Sequence, residues 1–327
     1  MRSADRALIT GGAGFIGSHL AQRLISRGLR VTLLDNFDPY YDQQIKRNNL
    51  SAVLESAPEC IVEGDVRDPD VLAALFEDGS FDIVYHLAAK TGVRPSLDDP
   101  QEYFDVNVAG TINVLEACRR AGDCKLIFAS SSSVYGNSSR VPFSEDHPAD
   151  SPVSPYAASK RAAELICRTY HELYRLPVMA IRFFTVYGPR QRPDMAIYRF
   201  VEQVFRGDPV EIYGDGSMAR DFTYIDDIID GLQAALTWDG GFDLVNLGDA
   251  RTVSVAELVT MIERISGRPA DKRHLPVPKG DVRITFADIS RAARLLGYGP
   301  KVPIEDGLSR FIDWFKAEKL ENGRGTE

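Results

Sequence analysis

The chain has 327 residues, 44% of them hydrophobic, enough for a sizeable packed interior and more than one small core requires. Its 38 basic side chains are outnumbered by 47 acidic ones, and the net charge of −9 argues against nucleic acid or an anionic membrane as the main partner. The four cysteines (Cys60, Cys118, Cys124, Cys167) and the scattered histidines show no metal-ligand spacing, so free thiols of a reducing compartment are expected and a metal site is not.

Ala7-Leu8-Ile9 reads as a short buried strand, and His19-Leu20 to Leu24-Ile25 as the apolar stripe of a helix. Between them runs Thr10-Gly11-Gly12-Ala13-Gly14-Phe15-Ile16-Gly17. Gly11, Gly14 and Gly17 are spaced one residue wider at the first step than the usual dinucleotide fingerprint, but the mechanism is unchanged: a tight turn, a close backbone approach and close helix packing. A pyrophosphate is expected on the helix N-terminus, with Phe15 and Ile16 beside it. Arg30-Val31-Thr32-Leu33-Leu34 reads as a second strand ending at Asp35, whose carboxylate suits ribose hydroxyls and repels a 2′-phosphate. NAD is therefore expected rather than NADP. With the first strand inside the first ten residues, no signal peptide before it and no apolar stretch of membrane-spanning length, a cytoplasmic protein is expected.

Further along, Cys60-Ile61-Val62 leads to Gly64-Asp65-Val66, and Ile83-Val84-Tyr85-His86-Leu87 leads to Ala88-Ala89. Helical stripes at Val71 to Phe76 and Val106 to Cys118 alternate with these strands, and Lys125-Leu126-Ile127-Phe128-Ala129 runs into the four serines Ser130 to Ser133. Such alternation means a doubly wound parallel α/β sheet with ligands at the strand C-termini. Ser154-Pro155 then supplies an N-cap and a first-turn proline for a helix that carries Tyr156 and Lys160 on one face. The Lys160 ammonium is expected beside the Tyr156 phenol, lowering its pKa toward neutrality for proton transfer.

Met179 to Phe184 reads as another strand, followed by a proline- and arginine-rich passage in which a second domain begins. The expected division is a dinucleotide domain over 1–180 and a discontinuous substrate domain over 181–327. The first is rejoined by about 220–252, because Phe242 to Leu247 again reads as a buried strand. Helices are expected at Ser254 to Ile265, Asp288 to Leu296 and Ile304 to Lys316, and a disordered tail from Glu321 to Glu327.

These motifs resemble the extended short-chain dehydrogenase/reductases, in particular the nucleotide-sugar epimerases, over nearly the whole length. The carriers are the glycine-rich loop, Gly64-Asp65, His86-Leu87-Ala88-Ala89, Ser130 to Gly136, Tyr156-x-x-x-Lys160 and Arg220-Asp221-Phe222-Thr223-Tyr224-Ile225-Asp226-Asp227. A narrower set is similar to UDP-glucuronate 4-epimerases: Asp35-Asn36-Phe37 with Tyr40-Tyr41-Asp42, Gly92-Val93-Arg94, and Arg182 to Pro189 followed by Arg192-Pro193-Asp194-Met195. The resemblance implies a Rossmann-type fold, NAD as cofactor, a UDP-sugar as ligand, and a homodimer formed by the helices around Val106 to Cys118 and Tyr156 to Tyr174.

The resemblance also assigns roles. Tyr156, Lys160 and Ser131 become catalytic. Asn36, Asp65 and Val66 flank the adenosine, Ala88 and Ala89 line the cofactor groove, Lys160 holds the nicotinamide ribose, and Asn107 braces the site. Ser132, Ser133, Thr185 and Arg192 meet the sugar, with Arg192 gripping a carboxylate through its planar fork. Arg220 meets the diphosphate, and Asp281 or Arg283 the nucleotide end, although Pro278 stands where some relatives have an arginine. Related 4,6-dehydratases carry an acidic pair at the positions of Ser132 and Ser133, and UDP-glucuronate decarboxylases a glutamate at the latter. Serines at both positions leave C4 epimerisation as the expected reaction. The alternatives are an epimerase for UDP-glucose or UDP-N-acetylglucosamine and a non-catalytic NAD-binding redox sensor. Galactose-type relatives carry Asn where Thr185 stands, and a sensor has no need of the proton-transfer set.

Overall fold

A computed structural model describes residues 5–77, 81–278 and 282–321. Six strands in the first 183 residues, β1 (Arg6–Thr10), β2 (Arg30–Asp35), β3 (Ile61–Glu63), β4 (Ile83–His86), β5 (Lys125–Ser131) and β6 (Val178–Phe183), form a sheet with the strand Phe242–Leu247. The order is Phe242–Leu247, β6, β5, β4, β1, β2, β3, and every neighbouring pair is parallel. The strand Phe242–Leu247 pairs with β6 residue for residue, Phe242 opposite Val178 and Leu247 opposite Phe183.

The strands are apolar on both faces because helices cover both faces. Ala7 and Ile9 of β1, Ile127 and Ala129 of β5, and Met179 and Ile181 of β6 enter one core cluster. Their alternates Leu8, Leu126, Phe128, Val178 and Ala180 enter another. The period of two along each strand thus sorts side chains between two helical layers. On one side the helix α1 (Phe15–Ser26) contributes Leu20, Ala21 and Leu24; on the other, the helices Gly110–Ala121 and Pro155–Tyr174 contribute Val114, Leu115, Ala163 and Cys167.

The rest of the chain is not confined to the strand ends: the helix Ile225–Ala234 lies against α1, and the Tyr85 hydroxyl donates to its Leu232 carbonyl at 3.0 Å. It includes a parallel pair between Thr185–Tyr187 and Phe222–Tyr224, a second parallel pair between Val210–Tyr213 and Lys272–Leu275, and the helices Val255–Ser266, Ser290–Leu296 and Ile304–Phe315. Among the described residues no helix is long and apolar enough to cross a membrane. The tail read as disordered lies, beyond Glu321, outside the described residues.

Candidate active site

β1 and β4 are neighbours, but the chain reaches β2 on one side and β5 on the other, and this reversal opens a crevice at the strand ends. A cavity of about 420 Å³ fills it. Its dinucleotide half is lined by Gly11, Gly14, Phe15, Ile16, Gly17, Asp35, Asn36, Asp65, Val66, Ala88 and Ala89. Ser131, Ser132, Ser133, Tyr156, Lys160, Thr185 and Arg192 line the other half.

Two glycines of the loop are sterically required. Gly11 has φ +71°, and a Cβ on it would stand 2.8 Å from the Ala88 amide nitrogen. A Cβ on Gly17 would run into the Gly11 carbonyl and stand 2.9 Å from Gly12 Cα, so α1 packs onto the loop only with glycine there. The N-cap of α1 is Gly14, with no capping side chain and no acidic residue in the first turn, which leaves the terminal N–H groups and the helix dipole facing the groove. That is a cradle for a phosphate.

Asp35 ends β2 as expected, and it also ties the loop together. Its oxygens accept from Ala13 N at 3.1 Å, Phe37 N at 2.8 Å and Lys46 Nζ at 3.0 Å. A carboxylate offers about four lone-pair sites, so room remains for one ribose hydroxyl. Asp65 accepts from Arg67 through both oxygens, at 3.0 and 2.7 Å, and from Asn36 at 2.8 Å. Burial alone would raise the Asp65 pKa, but the hydrogen bonds from Arg67 and Asn36 bring it down to about 2. The glycine cradle, the acid at the end of β2 and the apolar walls at Val66, Ala88 and Ala89 fit a dinucleotide.

At the sugar half, Ser131 is the last residue of β5; its hydroxyl donates to Ser133 Oγ at 3.1 Å and accepts from Ser133 N at 3.2 Å. Ser154 caps the helix Pro155–Tyr174 by accepting from Ala157 N at 3.1 Å, which fixes Tyr156 in the first turn. The Tyr156 ring packs edge-on against Tyr103, with 6.1 Å between centroids. Asn107 lies in a π-helical turn, Asp105–Ala109, that aims its amide at Ser159 Oγ, 2.9 Å away, and at the Lys90 carbonyl, 3.0 Å away. Ser159 in turn donates to the Tyr156 carbonyl at 2.8 Å, so Asn107 braces the helix beside the phenol.

One sequence expectation requires correction: burial, not a cation, sets the direction of the Tyr156 shift. Lys160 turns to a main-chain acceptor. Its ammonium donates to the Ala129 carbonyl at 2.8 Å and lies over the Phe128 ring, because a buried cation must find an acceptor and the end of β5 supplies it. Burial pulls the Lys160 pKa down to about 7, opposed by Cys167 and Glu164. Burial also pushes the Tyr156 phenol above its ordinary value, and what draws it back is the Ser131 hydroxyl, then the Arg192 charge. The cation acting on the phenol comes from a segment more than thirty residues downstream.

Thr185 and Arg192 face this half of the groove, whereas Arg220 and Arg283 do not line it. Arg220 donates to the Ala219 carbonyl at 3.0 Å, and Arg283 lines a second cavity with Asn137, Gly214, Met218 and Val277. Asp281 lies outside the described residues. The groove also contains residues that spacing did not assign to it: Tyr40, Tyr41, Lys46, Lys90 and Thr91. Lys90 bridges Asp38 at 3.2 Å and Glu102 at 2.9 Å. The run Tyr40-Tyr41-Asp42, part of the resemblance to UDP-glucuronate 4-epimerases, is the sequence signal for the first two; Lys46 and Lys90 have none, because their partners are set by tertiary contacts. His86 is fully buried between Thr10 Oγ1 at 2.7 Å and Thr111 Oγ1 at 3.0 Å, and burial holds its pKa down to about 3, which keeps it neutral and structural.

Fold and site together define a class: a doubly wound dinucleotide-binding protein with the Ser/Tyr/Lys set of the short-chain dehydrogenase/reductases. The family model described as GDP-mannose 4,6 dehydratase matches residues 8–311. A UDP-glucuronate 4-epimerase of Thermodesulfobacterium geofontis is 43% identical over 96% of this chain and 97% of its own. The crystal structure of UDP-glucuronic acid 4-epimerase from Bacillus cereus, in complex with UDP-glucuronic acid and NAD, superposes with a TM-score of 0.90 at 40% identity, covering 95% of this chain and 99% of that one. The UDP-glucose 4-epimerase of Thermotoga maritima with UDP-glucose gives 0.88 at 32% identity, over 95% and 99%. The chain belongs to the extended short-chain dehydrogenase/reductases, in the nucleotide-sugar epimerase/dehydratase family.

Proposed function

We propose that the protein is an NAD-dependent epimerase that inverts C4 of a UDP-sugar, converting UDP-glucuronate to UDP-galacturonate through a transient 4-keto sugar. The observation that carries this reading is one groove lined at once by the glycine loop, by Ser131, Tyr156 and Lys160, and by Arg192. NAD bound along the groove supplies the two-electron acceptor at C4 and the donor on return. Tyr156 takes the C4 hydroxyl proton and later gives it back, with Ser131 aligning that hydroxyl. Lys160, deep in the groove, holds the nicotinamide ribose and so fixes the distance the redox step needs. Ser132 and Ser133 carry no carboxyl group with which to eliminate water or to protonate C5. Thr185 and Arg192 receive the sugar carboxylate, and Arg220, Arg283 and Asp281 serve the UDP end.

The deciding experiment is incubation of the purified protein with UDP-glucuronate and chromatographic separation of UDP-galacturonate, UDP-xylose and unchanged substrate. UDP-galacturonate is the expected product; UDP-xylose would mean a decarboxylase. Turnover of UDP-glucose alone would mean a neutral-sugar epimerase, a reading that the likeness to UDP-glucose 4-epimerases such as the Thermotoga maritima enzyme favours.

Three coarser features complete the proposal. The dinucleotide part takes residues 1–180, rejoined by about 220–252, and the substrate part takes the remainder of 181–327. A homodimer through the helices around Val106 to Cys118 and Tyr156 to Tyr174 is supported by exposed apolar side chains on the second of them, Leu165, Leu173 and Tyr174, 66% for Leu173. Light scattering of the wild type and of Leu165→Lys tests it, with dissociation of the variant expected. Cysteines that are all buried and unpaired suit the reducing cytoplasm.

A further inference from the structure

The Arg192 guanidinium reaches the groove already held along one edge. Its Nε and Nη2 donate to the two oxygens of Asp194, at 2.9 and 2.8 Å, and its Nη1 donates to Thr91 Oγ1. The Tyr40 hydroxyl donates to the same Asp194 carboxylate at 3.3 Å, and the Tyr40 ring faces the guanidinium with its centroid 5.7 Å away. Tyr40 comes from the loop after β2, so the arrangement joins two distant segments across the groove.

Asp194 is a third exposed and two residues from its partner, a placement in which an ion pair adds little to fold stability. Its effect is on orientation. A guanidinium presents its donors along a side edge, Nε with Nη2, and an end edge, Nη1 with Nη2. Asp194 takes the side edge and Thr91 one Nη1 hydrogen, so a second carboxylate meets the end edge through the remaining hydrogens of Nη1 and Nη2.

We propose that Asp194 is a positioning residue: by gripping the side edge of Arg192 it locks the guanidinium plane, so that the end edge holds the substrate carboxylate in one orientation. This rests on the reading of Arg192 given above. It matters at the 4-keto stage, where the C6 carboxylate is β to the new carbonyl. If the C5–C6 bond aligns with the carbonyl π system it breaks, CO2 departs, the bonding pair enters an enolate, and C5 takes a proton from water. An equatorial C5–C6 bond lies near the carbonyl plane and overlaps poorly. A fixed guanidinium keeps it there.

The test compares wild type, Asp194→Ala and Asp194→Asn as full-length proteins loaded with NAD, each given UDP-glucuronate and, separately, UDP-glucose. Thermal melting confirms that the variants fold. Removing Asp194 is expected to raise KM for UDP-glucuronate about tenfold, a charged hydrogen bond's worth of lost orientation. It is also expected to raise the share of turnovers that end in CO2 and a 4-keto pentose. Each such event leaves one reduced dinucleotide on the enzyme, read by its near-ultraviolet absorbance. Asp194→Asn, which keeps the shape and one acceptor, falls between. Any turnover of UDP-glucose, which has no carboxylate, changes by less than that of UDP-glucuronate. A folded Asp194→Ala with unchanged KM and product ratio overturns the proposal, and so does a lower KM, which would make Asp194 a competitor for Arg192. Wild type that leaves UDP-glucuronate untouched overturns the reading of Arg192 itself, a separate outcome visible before any variant is made.

Discussion

At the dinucleotide end of the groove, Asp35 meets Lys46 at 3.0 Å and Asp65 meets Arg67 at 2.7 Å. At the end that holds Tyr156 and Lys160, Lys160 is buried and Tyr156 half-buried, with no opposite charge in hydrogen-bond reach among the described residues; Lys160 has only the Ala129 carbonyl as a hydrogen-bond acceptor there. Charges that neutralise one another fix a scaffold. Groups buried without compensation have shifted proton affinities, and such groups mark the places where chemistry is done. The first arrangement adds to stability and the second subtracts from it, so substitutions at the two ends should have opposite signatures.

The largest effect expected is at Tyr156. Tyr156→Phe removes the proton carrier but not the ring, so turnover of the UDP-sugar should fall by about 10²–10⁴-fold while the melting temperature holds, as steady-state kinetics and calorimetry would check. Next comes Lys46→Met, which leaves the Asp35 carboxylate buried without its cation and should cost about 3 kcal/mol of stability in urea titrations. Arg192→Ala follows. It should lower kcat/KM for UDP-glucuronate by about thirtyfold, the worth of lost charged hydrogen bonds, and slow a neutral UDP-sugar by less, through the charge lost beside Tyr156 alone.

Lys160→Met sharpens the comparison because its sign is reversed. The folded-state pKa near 7 lies below the lysine value of 10.5, so the folded protein disfavours the proton. The stability that Lys160 permits is full above pH 10.5 and is lost as pH falls through 7. Lys160→Met should therefore raise the melting temperature most below pH 7, with the gain fading toward pH 10.5, while activity is lost. If the variant melts lower than wild type at pH 6, the contrast between the two ends fails. The smallest effect concerns Asp249, raised to about 6 by burial and by Asp221. Its contribution to stability is present below pH 3.8 and disappears as pH rises through 6. Asp249→Asn should flatten the melting temperature between those values.

How much of this was legible in the sequence follows from the range of the interactions. The glycine loop, the strand ending at Asp35 and the capped helix holding Tyr156 are local, and each strand read from its apolar run appears in the sheet. The register of Phe242–Leu247 against β6 follows from the same pattern of buried alternation. The direction of the Lys160 ammonium was not legible, because helical spacing places two residues on one face without saying which acceptor lies opposite. Nor were Lys46 on Asp35 or Asp194 on Arg192. Each depends on where a loop comes to rest, and only packing decides that. Tyr103, edge-on to Tyr156, escaped for the same reason.

The strand Phe242–Leu247 carries a consequence for biosynthesis. β6 presents an open hydrogen-bonding edge from the moment it emerges from the ribosome, and that edge is covered only when residue 247 has also emerged. The seven-stranded sheet is therefore complete only after the chain has passed residue 247. A chain cut after residue 183, at the end of β6, would leave that edge uncovered and be prone to aggregate.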